Sequence, residues 1–149
     1  MARELNPIEI MLTRDTDTMW KIMGGVMRNV CSTEIGRKIV SGTGKHVAAL
    51  LVETGAFGLE KETEPRSIGA SFADFLQAIG CGFEVVEGSD DDAVINMLAC
   101  PYEICDEATC LAVMSIDSEV VKRLGGKLII EETIAAGADK CRLRVVRQD

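Results

Sequence analysis

The chain has 149 residues, 47% of them apolar, which suffices for one hydrophobic core and is short for two full domains. Its 16 Lys and Arg against 24 Asp and Glu give a formal net charge of −8, which argues against a surface for the phosphates of duplex nucleic acid. An aromatic content of 4% also argues against the stacking of single-stranded bases. We therefore predict a single domain over residues 1–149 that binds no nucleic acid.

The first half of the chain is predicted to be helical. An apolar stripe at spacings of three and four residues predicts a first helix, capped by Asp15 or Asp17 and carrying Met19, Met23, Val26, Met27 and Val30 on one face. A second helix is predicted over residues 33–54, which the SGTG run at 41–44 could divide, and a third over residues 67–79. The second helix is expected to point these side chains inward: Ile35, Ile39, Val47, Leu50 and Leu51. We predict that residues 1–32 form a helical extension of the main part, residues 33–147.

The second half changes to short β-type runs. Residues 82–87 and 93–99 flank the polar turn GSDDD and predict a β-hairpin. A helix follows over residues 106–124, with Asp106 as N-cap and Gly125-Gly126 as C-cap. Residues 127–136 and 140–147 predict a second hairpin. The fold class is therefore α+β, with N-terminal helices packed on an antiparallel sheet built from two β-hairpins and a late helix between them.

Side-chain alternation predicts the register of the second hairpin. In the last strand Cys141, Leu143 and Val145 share the apolar face. Matching the apolar faces of the two strands places Ala136 opposite Cys141 and Glu132 opposite Val145. Glu132 would then lie roughly 13 Å from Cys141 along the ladder, at about 3.3 Å per residue. This register predicts that Glu132 and Cys141 do not share one metal ion unless a bulge intervenes.

Compartment decides how the cysteines are interpreted. The N-terminal MARELNPIEI lacks the basic and apolar segments of a signal peptide, and no uncharged apolar run approaches the roughly 18 residues of a membrane span. We predict a cytoplasmic protein without membrane contact, in which the six cysteines are not disulfides.

Four cysteines form the strongest candidate site: Cys100, Cys105, Cys110 and Cys141. Thiolates bind zinc or iron, and a helix that begins near Asp106 brings Cys105 and Cys110 toward one ion. The alternatives are small buried hydrophobic residues or a catalytic thiol. Cys31 and Cys81 are each flanked by apolar residues and are expected in the core.

Two acids join Cys110 as candidate catalytic residues. Asp117 lies seven residues after Cys110 on the same helical stripe, so both side chains can face one pocket. Alternatively, Asp117 or Ser118 caps a last helical turn after a kink. Glu132, on an otherwise apolar strand face, is either a functional acid or a partly hydrated edge residue.

Spaced residues of the second half carry a family resemblance: Gly82, Phe83-Glu84-Val85, Cys100-Pro101, Cys110, Glu132-Thr133-Ile134, Gly137, Asp139, Cys141 and Leu143. Over about residues 33–147 the chain resembles the superfamily that contains the 4-vinyl reductase domain. That superfamily also holds the L-2-amino-thiazoline-4-carboxylic acid hydrolase-like proteins and the cysteine-rich methanogen output domain.

The resemblance implies an α+β domain that encloses a pocket for a small hydrophobic or aromatic molecule. In sensor members of the superfamily, a metal bound by Cys and Glu stabilises that pocket. Cys110 and Cys141 match two cysteines of the pattern, and Glu132 weakly matches its acid. Ala135 stands where the 4-vinyl reductase pattern has a further cysteine, and the interval from Glu132 to Cys141 is two residues shorter than that pattern has. The hydrolase-like and methanogen-output members lack that cysteine and match better.

Three functions follow from these observations. The first is a soluble, homodimeric sensor-type domain that binds a small molecule and a metal. The metal is zinc, iron or an iron–sulfur cluster, held by the four cysteines. The second is a hydrolase of a small cyclic amidine or thiazoline carboxylic acid, with metal-bound water or Cys110 as nucleophile and Asp117 or Glu132 as general base. The third is an interaction protein whose cysteines all lie in the core.

Overall fold

The computed structural model describes residues 3–4, 16–59, 61, 64–78, 83–86, 91–100, 102–104 and 106–148. Within these ranges four α-helices, two short 3-10 turns and four strands follow one another along the chain. The helices are α1 (Thr16–Val30), α2 (Glu34–Glu53), α3 (Pro65–Ala78) and α4 (Glu107–Leu124). The strands are β1 (Phe83–Val86), β2 (Asp92–Met97), β3 (Gly126–Glu132) and β4 (Cys141–Arg147). The 3-10 turns are Ala56–Gly58 and Ile134–Ala136.

The strands form one antiparallel sheet in the order β1-β2-β4-β3. Each hairpin pairs its own strands, and β2 and β4 join the two hairpins. The main core lies between the helices and the sheet, and Phe72, Ile95, Leu124 and Leu143 are fully buried in it. The predicted α+β class, with helices packed on a sheet of two hairpins and a helix between them, is confirmed.

Local capping explains why the predicted bounds of α4 are confirmed within one residue. The side chain of Asp106 accepts a hydrogen bond from the backbone N–H of Thr109 at 3.2 Å. At the other end Gly125 adopts φ 111°, a left-handed conformation that favours glycine. Helix α4 runs without interruption between these caps, so Asp117 and Ser118 do not cap a turn after a kink.

The register predicted for the second hairpin is wrong by four residues. Leu128 pairs with Val145 and Ile130 with Leu143, and after an irregularity Glu132 pairs with Arg142. The predicted strand continued through residues 133–136, but these form a 3-10 turn in which the Thr133 side chain accepts a hydrogen bond from the N–H of Ala136 at 3.2 Å. Glu132 therefore pairs with the neighbour of Cys141, and the predicted separation of roughly 13 Å is wrong.

The inward face predicted for α2 is also wrong for four of its five residues. Ile35, Ile39, Val47 and Leu50 are between 41% and 72% exposed, and Leu51 alone is buried. The buried face carries smaller residues instead: Gly36, Val40, Gly44 and Ala48, together with Leu51. The helix is continuous through the SGTG run.

Close approach of α2 and α4 explains this reversal. A Cβ atom on Gly44 would lie 2.6 Å from Cγ1 of Ile116 in α4, so no larger residue fits there without movement. At Gly36 the close neighbour is instead the end of α1, because a Cβ atom there would lie 1.6 Å from the carbonyl oxygen of Val30. Because close contact requires small side chains, the larger apolar residues of α2 lie on the opposite face.

Helix α1 packs through a face that differs in part from the predicted stripe. Trp20 packs against the main core and Met27 against a second cluster that includes Cys31 and Cys110. Val26 and Val30 are 50% and 37% exposed, so the prediction that these two side chains lie on the buried face is wrong. The side chain of Met19 is not among those that the structure describes, so the prediction for Met19 is not tested.

Candidate functional site

A pocket of about 80 Å³ opens where α1, α3, α4 and one end of the sheet meet. Its walls are largely apolar and include Phe75 and Leu76 of α3, Met97 at the end of β2, and Met114 of α4. These residues come from separate parts of the chain, so a molecule in the pocket would touch both the helical layer and the sheet.

Two aromatic residues that sequence reasoning missed form part of the wall. Trp20 of α1 and Tyr102 of the segment after β2 make an edge-to-face contact, with ring centroids 4.9 Å apart and an interplanar angle of 88°. Helix α1 approaches this segment closely, because a Cβ atom on Gly24 would lie 2.7 Å from the carbonyl oxygen of Tyr102. Arg28 also donates a hydrogen bond to that oxygen. Trp20 continues the helical spacing of Met23 and Met27, which was the one available sequence signal.

Three of the four cysteines of the candidate site line this pocket: Cys100, Cys110 and Cys141. Cys110 lies in the first turns of α4, and Cys141 begins β4 opposite Met97 of β2. Backbone N–H groups fix two of the sulfurs: that of Ile104 donates to Sγ of Cys100 at 3.4 Å, and that of Ile134 to Sγ of Cys141 at 3.3 Å. The sequence therefore identified three thiols that fold into one pocket, although they are up to 41 residues apart.

Burial favours the protonated form of two of these thiols, Cys110 and Cys141. It raises the pKa of Cys110 to about 12, with further contributions from Cys141, Cys100 and Asp117. Burial also raises the pKa of Cys141, and the hydrogen bond from Ile134 only partly offsets it. Since the thiolate is the nucleophilic form, this environment does not favour Cys110 as a catalytic thiol.

Asp117 faces the same pocket as Cys110, as their shared helical stripe indicated. Burial raises the pKa of Asp117 from 3.8 to about 7, and a hydrogen bond from its own backbone N–H acts in the opposite direction. Asp117 is the one carboxylic acid among the described residues that line the pocket. Near neutral pH this group therefore exchanges between its acid and carboxylate forms.

Glu132 does not join this site. It lines a different groove, together with Glu107 and Glu131. Glu131 accepts hydrogen bonds from Arg144 and, at 2.8 Å, from Arg142, and these bonds lower the pKa of Glu131. The three candidate catalytic residues are therefore split, with Cys110 and Asp117 in the pocket and Glu132 outside it.

The four-thiolate metal site stays a prediction. Cys105 lies outside the described residues, as does Cys81. Among the residues that the structure describes, no group of three or more His, Cys, Asp or Glu side chains is arranged to hold a metal ion. Metal analysis of protein prepared anaerobically and without a His-tag tests this prediction. Cys31 is a free thiol and 1% exposed.

Comparison with known proteins gives a likeness of fold. No family model matches the chain, and no curated protein sequence matches it. The chain is similar to the crystal structure of a trafficking protein particle complex subunit 3 from Naegleria fowleri covalently bound to palmitic acid. The TM-score is 0.62 at 12% sequence identity, over 90% of this chain and 95% of that one. A likeness at this identity shows a shared fold and no more.

This finding corrects the resemblance to the 4-vinyl reductase superfamily. The similar structure is a trafficking complex subunit, which belongs to a different fold family. The residues that carried the resemblance are single Gly, Cys and Asp residues at wide intervals, and such residues also recur at turns and in cores for local reasons. Gly137, for example, has φ 102° and ends the 3-10 turn before β4.

No helix in the described ranges is both long enough and apolar enough to cross a membrane.

Proposed function

We propose that this chain is a sensor-type domain, a cytoplasmic homodimer, that binds a small apolar molecule in the thiol-lined pocket. The observation that carries the proposal is the pocket itself: an apolar cavity whose walls come from three helices and two strands. A binding domain of this kind needs no activated side chain. The protonated thiols therefore suit it better than they suit a hydrolase.

The volume of the pocket limits its ligand. About 80 Å³ is roughly half of the about 150 Å³ cavity that holds benzene in an engineered protein. A molecule with a short hydrocarbon part fits as the pocket stands, and a longer chain would extend through its mouth. The palmitic acid on the similar trafficking subunit supports the idea that this fold accommodates an apolar chain.

Methionine methyl groups offer a direct test of binding. Met97 and Met114 both line the pocket, so ¹³C-methyl NMR spectra titrated with 1-butanol or n-butylamine should show saturable shifts for these two residues. Cys110→Leu adds bulk inside the pocket and should lower the affinity for the probes, as measured by these shifts, at least tenfold. Leu111→Met changes the adjacent residue, which is 49% exposed, and should leave them unchanged. The absence of saturable shifts with every short-chain probe contradicts the proposal.

An exposed apolar surface on α1 and α2 supports the homodimer. This α1–α2 surface consists of Ile22, Val26, Val30, Ile35, Ile39, Val47 and Leu50. Each of these residues is between 37% and 72% exposed, although large apolar side chains are usually buried. A second copy that covers the surface would remove this apolar area from water.

The spacing along α2 suits a two-fold contact between copies. Ile35, Ile39, Gly42, His46 and Leu50 recur at steps of four, three, four and four residues, which is close to the seam of a pair of antiparallel helices. In such a pair Ile35 of one copy lies opposite Leu50 of the other, and Gly42 lies near the axis. Apart from Gly42 itself, its chain neighbours and the nearby backbone of α2, no described atom lies within 4 Å of a Cβ built on Gly42. Close approach of a second helix gives a reason for glycine there.

Sedimentation equilibrium tests the dimer. We expect twice the chain mass at micromolar concentration, and a single-chain mass for Ile39→Asp, which places a charge on the surface. Leu111→Asp introduces the same charge at an exposed leucine of α4 and should remain dimeric. A monomeric wild-type protein at about 100 μM contradicts the dimer and leaves the pocket proposal intact.

A further inference from the structure

The carboxyl group of Asp117 is a feature that an apolar ligand alone does not explain. Helix α4 is continuous around it, so it does not serve as a helix cap. Its neighbours in the wall, Val113, Met114 and Ile116, are apolar. The residue is partly buried, and a carboxylate that loses part of its contact with water is stabilised by a positive charge or by hydrogen bonds.

The protein supplies no such charge within the described part of the pocket. The other ionisable groups that line it are Cys110 on the same helix, Cys100 and Tyr102 from the segment after β2, and Cys141 from β4. All of these are neutral when protonated.

In the part of the chain that the structure describes, the nearest guanidinium is that of Arg28 of α1, which lies outside the pocket lining and donates to the carbonyl oxygen of Tyr102. Trp20 of α1 and Phe75 and Leu76 of α3 contribute uncharged walls. The buried face of α2 consists of glycine, alanine, valine and leucine. Arg123, near the end of α4, is directed instead toward Glu119 and Glu53.

We propose that the pocket selects a small apolar amine, whose ammonium group pairs with the carboxylate of Asp117 while its hydrocarbon part contacts Met97, Met114 and Phe75. The inference rests on the proposed binding function and names the ligand class of the same pocket. An ammonium donates charge-assisted hydrogen bonds and supplies the missing positive charge. A neutral alcohol of equal length supplies a hydrogen bond without the charge, so it binds more weakly.

Binding of an amine changes the protonation of Asp117. Burial raises the pKa of Asp117 to about 7, so a fraction of the molecules carry a neutral acid at neutral pH. When the ammonium binds, that fraction releases one proton to solvent and the carboxylate pairs with the cation. The bound amine therefore lowers the pKa of Asp117, whereas a bound alcohol does not.

A matched pair of probes tests the inference. n-Butylamine and 1-butanol differ in one polar group, and the Met97 and Met114 methyl shifts report both. At pH 8 we expect wild-type protein to bind the amine at least tenfold more tightly than the alcohol. In Asp117→Asn, which keeps the shape of the side chain, the preference should disappear while the alcohol still binds. Equal affinities in the wild type, or a preference that persists in the variant, overturn the inference.

A second measurement uses only the wild-type protein, in case Asp117→Asn does not fold. The ¹³C shift of the Asp117 carboxyl at pH 7 should move toward the carboxylate value with n-butylamine and not with 1-butanol. An unchanged shift with saturating amine contradicts the inference. If the alcohol binds and the amine binds no better, only the ligand class fails. If neither probe binds, the proposed function fails with it.

Discussion

The two faces of α2 differ in the size of their side chains. The smaller residues are buried and the larger apolar residues are exposed, which is the reverse of the usual pattern. Gly36 and Gly44 lie on the buried face, whereas Ile35 and Ile39 are 72% and 59% exposed. Hydropathy alone would bury the isoleucines. Gly44 approaches Ile116 of α4 and Gly36 approaches Val30 of α1, so close packing requires small residues on the buried face and leaves the larger ones on the α1–α2 surface. Substitutions on the two faces should therefore have different, and in one case opposite, effects.

The largest effect is expected at Gly36. Gly36→Ala places a methyl group 1.6 Å from the carbonyl oxygen of Val30, and main-chain atoms cannot move aside as a flexible side chain can. We expect the free energy of unfolding in urea to fall by about 3 kcal/mol or more, at the upper end of overpacking costs. A change below about 1 kcal/mol would show that the approach of Val30 to Gly36 is looser than this.

Adjacent leucines on opposite faces give the next test. Leu51 is 2% exposed and Leu50 is 50% exposed. Leu51→Ala should cost about 2 to 4 kcal/mol, because it leaves a cavity in the core. Leu50→Ala should change the stability of the monomer by less than about 0.5 kcal/mol. Both are best measured in an Ile39→Asp background, which removes the contribution of dimerisation. Equal costs would contradict the assignment of the two faces.

Gly44→Ala should have a smaller effect than Gly36→Ala. Here the atom in the way is Cγ1 of Ile116, at 2.6 Å, and a side chain can adopt another rotamer. We expect a loss of about 1 to 2 kcal/mol in urea unfolding. An Ile116→Ala background removes Cγ1 and should rescue part of the loss that Gly44→Ala causes. No rescue would mean that the methyl group meets a different obstacle.

Gly42→Ala is expected to act in the opposite direction. The Cβ position is open within the chain, and alanine is about 1 kcal/mol better than glycine inside a helix. In the Ile39→Asp background the variant should gain up to about 1 kcal/mol of stability. In the wild-type background, sedimentation should show a weaker dimer. If the variant dimerises as tightly as the wild type, Gly42 does not lie in the interface.

The sequence predicted those parts of the fold that are determined locally. Asp106 and Gly125 bound α4 because a cap depends on a few neighbouring residues. The spacing of Cys110 and Asp117 placed both in one pocket for the same reason, since they lie on one helix.

Two contacts between distant parts of the chain were wrong or missed. The register of β3 depended on where that strand ends, and Thr133 turns the chain before alternation along the sequence shows any break. The contact between Trp20 and Tyr102 joins residues 82 positions apart, which no local pattern indicates.

Helix α1 belongs to both regions of interest. Trp20 reaches the pocket from one side of this 15-residue helix, while Ile22 and Val26 lie exposed on the α1–α2 surface. A helix moves largely as a rigid body, so a shift at Trp20 displaces the residues of the interface as well. Under the proposed function, ligand binding and dimerisation are then coupled. A ligand changes the dimerisation constant by the same factor by which dimerisation changes the affinity for the ligand.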